Sequence, residues 1–225
     1  MDNSVQYTTS EQMSIIPKVM SKFAVSLLIM TIGMILGSMF IPPALASMMP
    51  IVCFGMLLIA FIVRGRQAHR EGGQVTLSMN FVYAFAAIEG VGLYPLIMYY
   101  TQAIGANLVM AALAATFVVF FGLSIYAQRT SRNFLSIGPV LFGGLIVLLV
   151  VSIVGIFIQA TALQVAITTG GLFIFSGYVL YDIQMMRTGL LTEEDVPMMV
   201  LNLFLDFINI FIYLLQLLGI FASDD

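Results

Sequence analysis

Seven apolar segments, each close to the length that crosses a bilayer, occupy most of this chain of 225 residues. A helix needs about 20 apolar residues to cross about 30 Å of hydrocarbon. Of all residues 61% are hydrophobic and 8% are charged, and the mean hydropathy of +1.07 is far from that of water-soluble globular domains. Because lipid offers the backbone no hydrogen-bond partners, such segments must be helical. The sequence therefore predicts an all-α, polytopic membrane protein with a seven-transmembrane-helix bundle. The predicted spans are Phe23–Ile41, Leu45–Val63, Leu77–Tyr100, Leu108–Ala127, Phe134–Phe157, Ala160–Met186 and Met198–Phe221.

These spans leave little of the chain for any other domain. We expect a cytoplasmic N-terminal tail over residues 1–22, a transmembrane domain over residues 23–221 and a short acidic C-terminal tail over residues 222–225. The adjacent prolines Pro42 and Pro43 end the first span and predict a tight hairpin into the second.

The basic residues predict the orientation in the membrane. All eight fall before the first span or after the second, fourth and sixth, at Lys18, Lys22, Arg64, Arg66, Arg70, Arg129, Arg132 and Arg187. Since basic loops are mostly cytoplasmic, the N-terminus is predicted in the cytoplasm and, with seven spans, the C-terminus outside. If the last span turned back within the membrane, the C-terminus would be cytoplasmic instead. We expect an integral protein of a bacterial inner (plasma) membrane.

Several classes of function are disfavoured by the composition. The net charge of -3 suggests no nucleic-acid partner. The single cysteine, Cys53, allows neither a disulfide framework nor a cysteine metal site. The sequence contains no Walker motif, nucleophile elbow or zinc-protease helix. We therefore expect no enzymatic activity and no bound cofactor.

Two aspartates, Asp182 and Asp206, lie inside the sixth and seventh predicted spans. Hydrocarbon solvates a carboxylate poorly, so an acid at such a position is a functional-site hypothesis by default. Counting from Arg187 and Met198 at the cytoplasmic edge places these acids roughly 8 Å and 12 Å deep. If the carboxyls face each other, both cannot ionise without strong repulsion, so they share one proton and form a proton-sensitive latch. Alternatively, each acid faces the headgroups or caps a local backbone group.

Three further polar residues are candidates for the same site. Arg64, at the end of the second span, either stabilises an ionised aspartate or extends to the interface as an anchor. Glu89 lies near mid-bilayer, where it is either protonated and hydrogen-bonded or lines a cavity that a cation crosses. Asn209 follows Asp206 by three residues on the same helical face, and it either lines such a cavity or hydrogen-bonds a neighbouring helix.

Four short motifs point to a known family. The segments Ser176–Gln184 and Leu203–Phe211 resemble the closing signature of the Bax inhibitor-1 (transmembrane Bax inhibitor motif) family. Ala86–Gly90 in the third span and the Phe134-Leu135 pair that opens the fifth are similar to that family too. The likeness covers nearly the whole chain. One departure is Ile183, where many relatives have a small polar residue.

This resemblance implies seven helices with the last helix central, ringed by the other six. It also implies a pH-sensitive, passive calcium leak in which Asp182 and Asp206 form the sensing dyad and Arg64 is the latch partner. Ca²⁺ and protons would be the species that the protein handles within the lipid bilayer. Because hard cations prefer oxygen ligands, Asp182 and Asp206 are also the expected transient Ca²⁺ ligands, with Glu89 and Asn209 along the pathway.

A second class of function is a membrane partner that does not transport. Such a protein would restrain a membrane quality-control protease or another complex through its N-terminal tail, a role that relatives suggest by resemblance. A third hypothesis, a proton-coupled transporter, is disfavoured because the spans lack an evident inverted repeat with broken helices.

Overall fold

The computed structural model describes residues 9–71, 76–158 and 160–223, and these residues form helices without any strand. Seven of the helices in this described part are long and apolar enough to cross a membrane, which confirms the predicted all-α class and the number of spans. The helices are α1 (Thr9–Phe40), α2 (Pro43–Ala46), α3 (Met49–Glu71), α4 (Met79–Ile104), α5 (Ala106–Arg129), α6 (Gly138–Phe157), α7 (Thr161–Arg187) and α8 (Val196–Ser223).

Helix α1 begins well before the predicted first span, which starts at Phe23. A stripe of buried side chains with helical spacing explains the difference, since Ile15, Val19 and Phe23 are all buried. These side chains pack against other parts of the protein, whereas hydropathy identifies only the segment that contacts lipid. The expected tail over residues 1–22 is therefore helical from Thr9 onward.

The second predicted span is broken near its start. Pro42 separates α1 from the short helix α2, as the predicted hairpin requires. A turn at Ser47 and Met48 then precedes α3. Pro50 is the second residue of α3, where its missing N–H removes no helical hydrogen bond. Placed inside a continuous helix from Leu45, the same proline would remove one, so the break has a local cause.

The described chain forms two compact units, and the first comprises Met1–Met98 and Thr188–Phe204. Within it the backbones of α1 and α4 touch. A Cβ added to Gly33 would meet the carbonyl oxygen of Ala87, and one added to Gly90 would meet that of Met30. Small residues permit such close approach in membranes, where packing rather than the hydrophobic effect holds helices together.

The second unit comprises Tyr99–Arg187 and Leu205–Asp225. Helix α7 lies against both α5 and α6 in this unit. Gly177 of α7 faces Leu141 of α6, and a Cβ at Gly177 would lie 2.6 Å from Leu141 Cδ2. The ring of Tyr181 similarly covers Gly138 at the start of α6. These glycines bring α7 close enough to α6 to fix its rotation about its own axis.

Helix α8 is the most buried of the seven spans. Within an apolar stretch of 18 residues in this span 61% of the residues are buried, against 11–39% in the corresponding stretches of the other six, in agreement with the predicted central last helix. Its 28 residues form one continuous helix. At about 1.5 Å per residue, that length of about 42 Å exceeds the thickness of the hydrocarbon. The described helix therefore does not turn back on itself.

The contact between α1 and α4 makes a prediction about stability. Alanine at Gly90 introduces a Cβ into a backbone carbonyl, so we expect Gly90→Ala to lower the free energy of unfolding by about 1–3 kcal/mol. The control is Gly122→Ala on α5, where nothing lies within 4 Å of the added Cβ. Thermal unfolding of the purified protein in detergent measures both. Equal stability of the two variants would contradict the close contact.

Candidate functional site

The two intramembrane aspartates lie in the second unit, and both are almost completely buried. Asp182 on α7 is 3% exposed and Asp206 on α8 is 4% exposed. The two carboxyl groups are close enough to interact electrostatically. Among the described residues, Oδ2 of Asp206 is a buried side-chain atom without a hydrogen-bond partner. The structure thus brings together the two acids that the sequence singled out.

The helical spacing of their neighbours explains why these acids are buried. On α7, Val179, Ile183 and Met186 are buried along with Asp182, at the separations of three and four residues that define one helical face. Leaving an ionised carboxylate in such surroundings costs several kcal/mol unless another group compensates its charge. Proximity of a second carboxyl adds to that cost, which favours a shared proton over two ionised groups.

Tyr178 is a third member of this site that the sequence analysis missed. It lies four residues before Asp182 on α7, so both side chains leave the same face of the helix. Its phenol is within electrostatic range of both Asp182 and Asp206. The separation of four residues between Tyr178 and Asp182, inside the Ser176–Gln184 motif, was the sequence feature that could have identified Tyr178. A phenol beside two carboxyls is a potential hydrogen-bond donor to an ionised oxygen.

Aromatic side chains hold α8 against α5 next to Asp206. The ring of Phe207 meets Phe117 with centroids 5.0 Å apart and Phe120 with centroids 5.4 Å apart, both in edge-to-face geometry. Phe120 and Phe207 are buried. Such pairs stabilise by about 0.5–1.5 kcal/mol beyond their buried area, so they hold this part of α8 in place.

A set of hydrogen bonds fixes the end of α7 that carries Asp182. Gln184 accepts a hydrogen bond from the Phe134 backbone N–H at 2.6 Å and donates one to the Arg132 carbonyl at 2.6 Å. Arg187 donates to the carbonyl of Ala127 at 2.8 Å and to that of Thr130 at 3.3 Å, at the C-terminal end of α5. We call these two side chains the α7 clamp. No sequence motif marks this clamp, because its partners are backbone atoms distant in sequence.

Of the other predicted site residues, two lie in the first unit. The side chain of Arg64 lies outside the described part of the structure, so its predicted role as a latch partner stays a prediction. Glu89 on α4 is partly buried beside the thiol of Cys53 on α3. The Cys53 thiol beside Glu89 agrees with the alternative in which Glu89 is hydrogen-bonded. The position of Glu89 along a cation pathway stays a prediction.

Asn209 lies one turn after Asp206 on α8. Its amide nitrogen donates to the Leu205 carbonyl of its own helix at 2.7 Å, so this N–H group does not bond a neighbouring helix. The residue also lines a partly open cavity of about 440 Å³ in the second unit.

Among the described residues no group of three or more His, Cys, Asp or Glu side chains could hold a metal ion. Two carboxyls alone fit only the transient Ca²⁺ contact that we predict for Asp182 and Asp206.

Comparison with known proteins identifies relatives over nearly the whole chain. A family model described as "Inhibitor of apoptosis-promoting Bax1" matches residues 12–223. An uncharacterized protein of Helicobacter pylori (strain J99) is 33% identical over 217 residues, which cover 96% of this chain and 90% of that protein. An uncharacterized membrane protein of Vibrio cholerae is 29% identical over 186 residues, covering 82% and 79% of the two chains. The Golgi anti-apoptotic protein of vaccinia virus (strain Lister) is 31% identical over 144 residues, covering 64% of this chain and 59% of that protein. These matches confirm the resemblance that the four motifs suggested.

The α7 clamp makes a testable contribution to stability. Gln184→Leu leaves a backbone N–H and a backbone carbonyl without partners, which costs about 1–3 kcal/mol for each group that stays buried. We expect a lower melting temperature and faster proteolysis in the loop between α5 and α6. Gln102→Leu, at an exposed position of α4, is the matched control and should change neither. If Gln184→Leu resembles that control, the clamp does not hold the end of α7.

Proposed function

This chain belongs to the Bax inhibitor-1 family of membrane proteins, and we propose that it forms a passive, proton-modulated pathway for Ca²⁺. The observation that supports this most directly is the pair Asp182 and Asp206, which are buried and within electrostatic range of each other. An intramembrane acid is costly, so its presence on both of the last two spans calls for a functional reason. Oδ2 of Asp206, which lacks a protein hydrogen-bond partner, is the oxygen free to receive a proton or a cation.

The chemistry of the pair favours a divalent, hard cation. Ca²⁺ binds oxygen ligands and usually takes six to eight of them. The two carboxyls offer only part of that number, so water would complete the shell and the contact would be brief. Brief contact suits conduction, since a cation must bind well enough to enter and weakly enough to leave.

Protons modulate this pathway by changing the charge of the pair. With one shared proton, the carboxyls carry a single negative charge and α7 and α8 can lie close together. With no proton, repulsion between two carboxylates favours separation of the two helices, or stabilisation by a cation such as Ca²⁺ or the guanidinium of Arg64. The α7 clamp restrains the end of α7 beyond Asp182. We therefore expect a change in protonation to alter mainly the separation between the segments of α7 and α8 that carry the two carboxyls.

We further propose a cytoplasmic N-terminus and an external C-terminus in an inner membrane. The basic residues indicate the cytoplasmic side, and two contacts support the assignment of their segments to one common side. Lys18, before the first span, pairs with Glu193, between the sixth and seventh, with 2.5 Å between Nζ and Oε2. Arg187, after the sixth span, bonds the Thr130 carbonyl after the fourth. Each contact joins segments that the basic residues assign to the cytoplasm. The role as a non-transporting partner of a membrane protease stays a prediction.

The pH dependence of Ca²⁺ flux into proteoliposomes tests the proposed function. Asp182→Asn and Asp206→Asn each remove one member of the pair, so we expect both variants to flatten the dependence that the unmodified protein shows. Glu194→Gln removes an exposed carboxylate from the loop before α8 and is the matched control. It should keep the original pH profile. A full pH response in both aspartate variants would reject the role of the pair.

A further inference from the structure

A second polar region lies in the second unit, at the opposite end of α7 from the α7 clamp. It is the partly open cavity of about 440 Å³, and the side chains that line it include five neutral polar groups. These are Ser152, Gln164, Thr168, Asn209 and Gln216. Every residue of the lining is uncharged. So polar a surface inside spans that otherwise present apolar side chains is expensive to build, unless it is hydrated or occupied.

Hydrogen bonds within the helices use the donors of two side chains in this lining. The Thr168 hydroxyl donates to the carbonyl of Gln164 at 2.8 Å, with a second contact to that of Val165 at 3.1 Å. The Asn209 amide nitrogen donates to the Leu205 carbonyl. The hydroxyl oxygen of Thr168 and the carbonyl oxygen of Asn209 retain lone pairs. No basic side chain in the lining would repel a cation, and these oxygens can face a cation and its water.

Two tyrosines, each seated on a glycine, shape the walls of this cavity. The ring of Tyr213 on α8 lies where a Cβ of Gly171 on α7 would be, and the ring of Tyr100 occupies the equivalent space at Gly219. Both rings line the cavity. Any larger residue at Gly171 or Gly219 would displace a ring, so the shape of the cavity depends on these two positions.

We propose that this cavity is the outer vestibule of the cation pathway, which accepts a cation with part of its water shell. This inference rests on the proposed function. Asn209, which lines the vestibule, follows Asp206 by three residues, about 4.5 Å along α8 and on the same helical face, so the lining comes within one helical turn of Asp206. Neutral oxygens replace water around a cation without trapping it, whereas the carboxyls deeper in the pathway supply the charge.

Cysteine labelling in proteoliposomes tests the vestibule. In a Cys53→Ser background, Ser152→Cys exchanges one atom of the lining. We expect a cationic methanethiosulfonate reagent to modify it several-fold faster than an anionic reagent of similar size, Ca²⁺ to slow that modification, and modification to remove most of the Ca²⁺ flux. The matched control is Ile153→Cys, the next residue of α6, which is 59% exposed on the apolar surface. It should react with neither charged reagent.

The other outcomes separate the vestibule from the proposed function. If Ser152→Cys reacts with a small membrane-permeant maleimide but with neither charged reagent, the cavity is dry and the vestibule is refuted. Equal rates with both charged reagents, or unchanged flux after complete modification, also refute it. Charge-selective labelling in a protein that carries no Ca²⁺ flux would instead overturn the proposed function, because labelling reports the cavity independently of transport.

Discussion

Two carboxyl groups on the last two helices share a buried, largely apolar environment, and that constraint governs how the second unit can be organised. Removing a carboxylate from water costs several kcal/mol, and a second carboxylate nearby increases the cost. Asp182 and Asp206 must therefore be held where a proton, a phenol or a cation can reach them. A loose pair would move apart toward water and lose its mutual influence.

The packing around the pair supplies this restraint. Phe207 fixes α8 against α5 through edge-to-face contacts, directly beside Asp206. Gly177 lets α7 approach α6, and Gln184 ties the end of α7 to the loop between α5 and α6. Each contact stabilises the protein modestly. Together they define the rotation and depth of two helices, which sets where the carboxyls lie.

Hydropathy predicted the class and the seven spans well, because lipid imposes one simple requirement on every membrane helix. It placed the first residues of α1 and α3 wrongly, because contacts within the protein fix the start of α1 and Pro50 fixes the start of α3. The burial of Asp182 and Asp206 was predictable from their position within apolar runs. The α7 clamp was not predictable, since Gln184 bonds backbone atoms about 50 residues earlier in the chain. The place of Tyr178 in the site was predictable only from its separation of four residues from Asp182.

The second unit combines an acidic pair with a neutral, oxygen-lined cavity one helical turn beyond it. Charge placed at one narrow region attracts a cation, and neutral acceptors elsewhere let it keep most of its hydration. This division would allow proton occupancy at one site to govern passage without a high-affinity Ca²⁺ site. This mechanism depends above all on the mutual influence of the two carboxyls. Infrared titration of the carboxyl stretch in reconstituted protein tests it, by comparing the protonation of Asp206 with and without Asp182. We predict that Asp182→Asn shifts the titration of Asp206 by at least about one pH unit, as expected of strongly interacting sites. An unchanged titration of Asp206 in that variant would contradict the account.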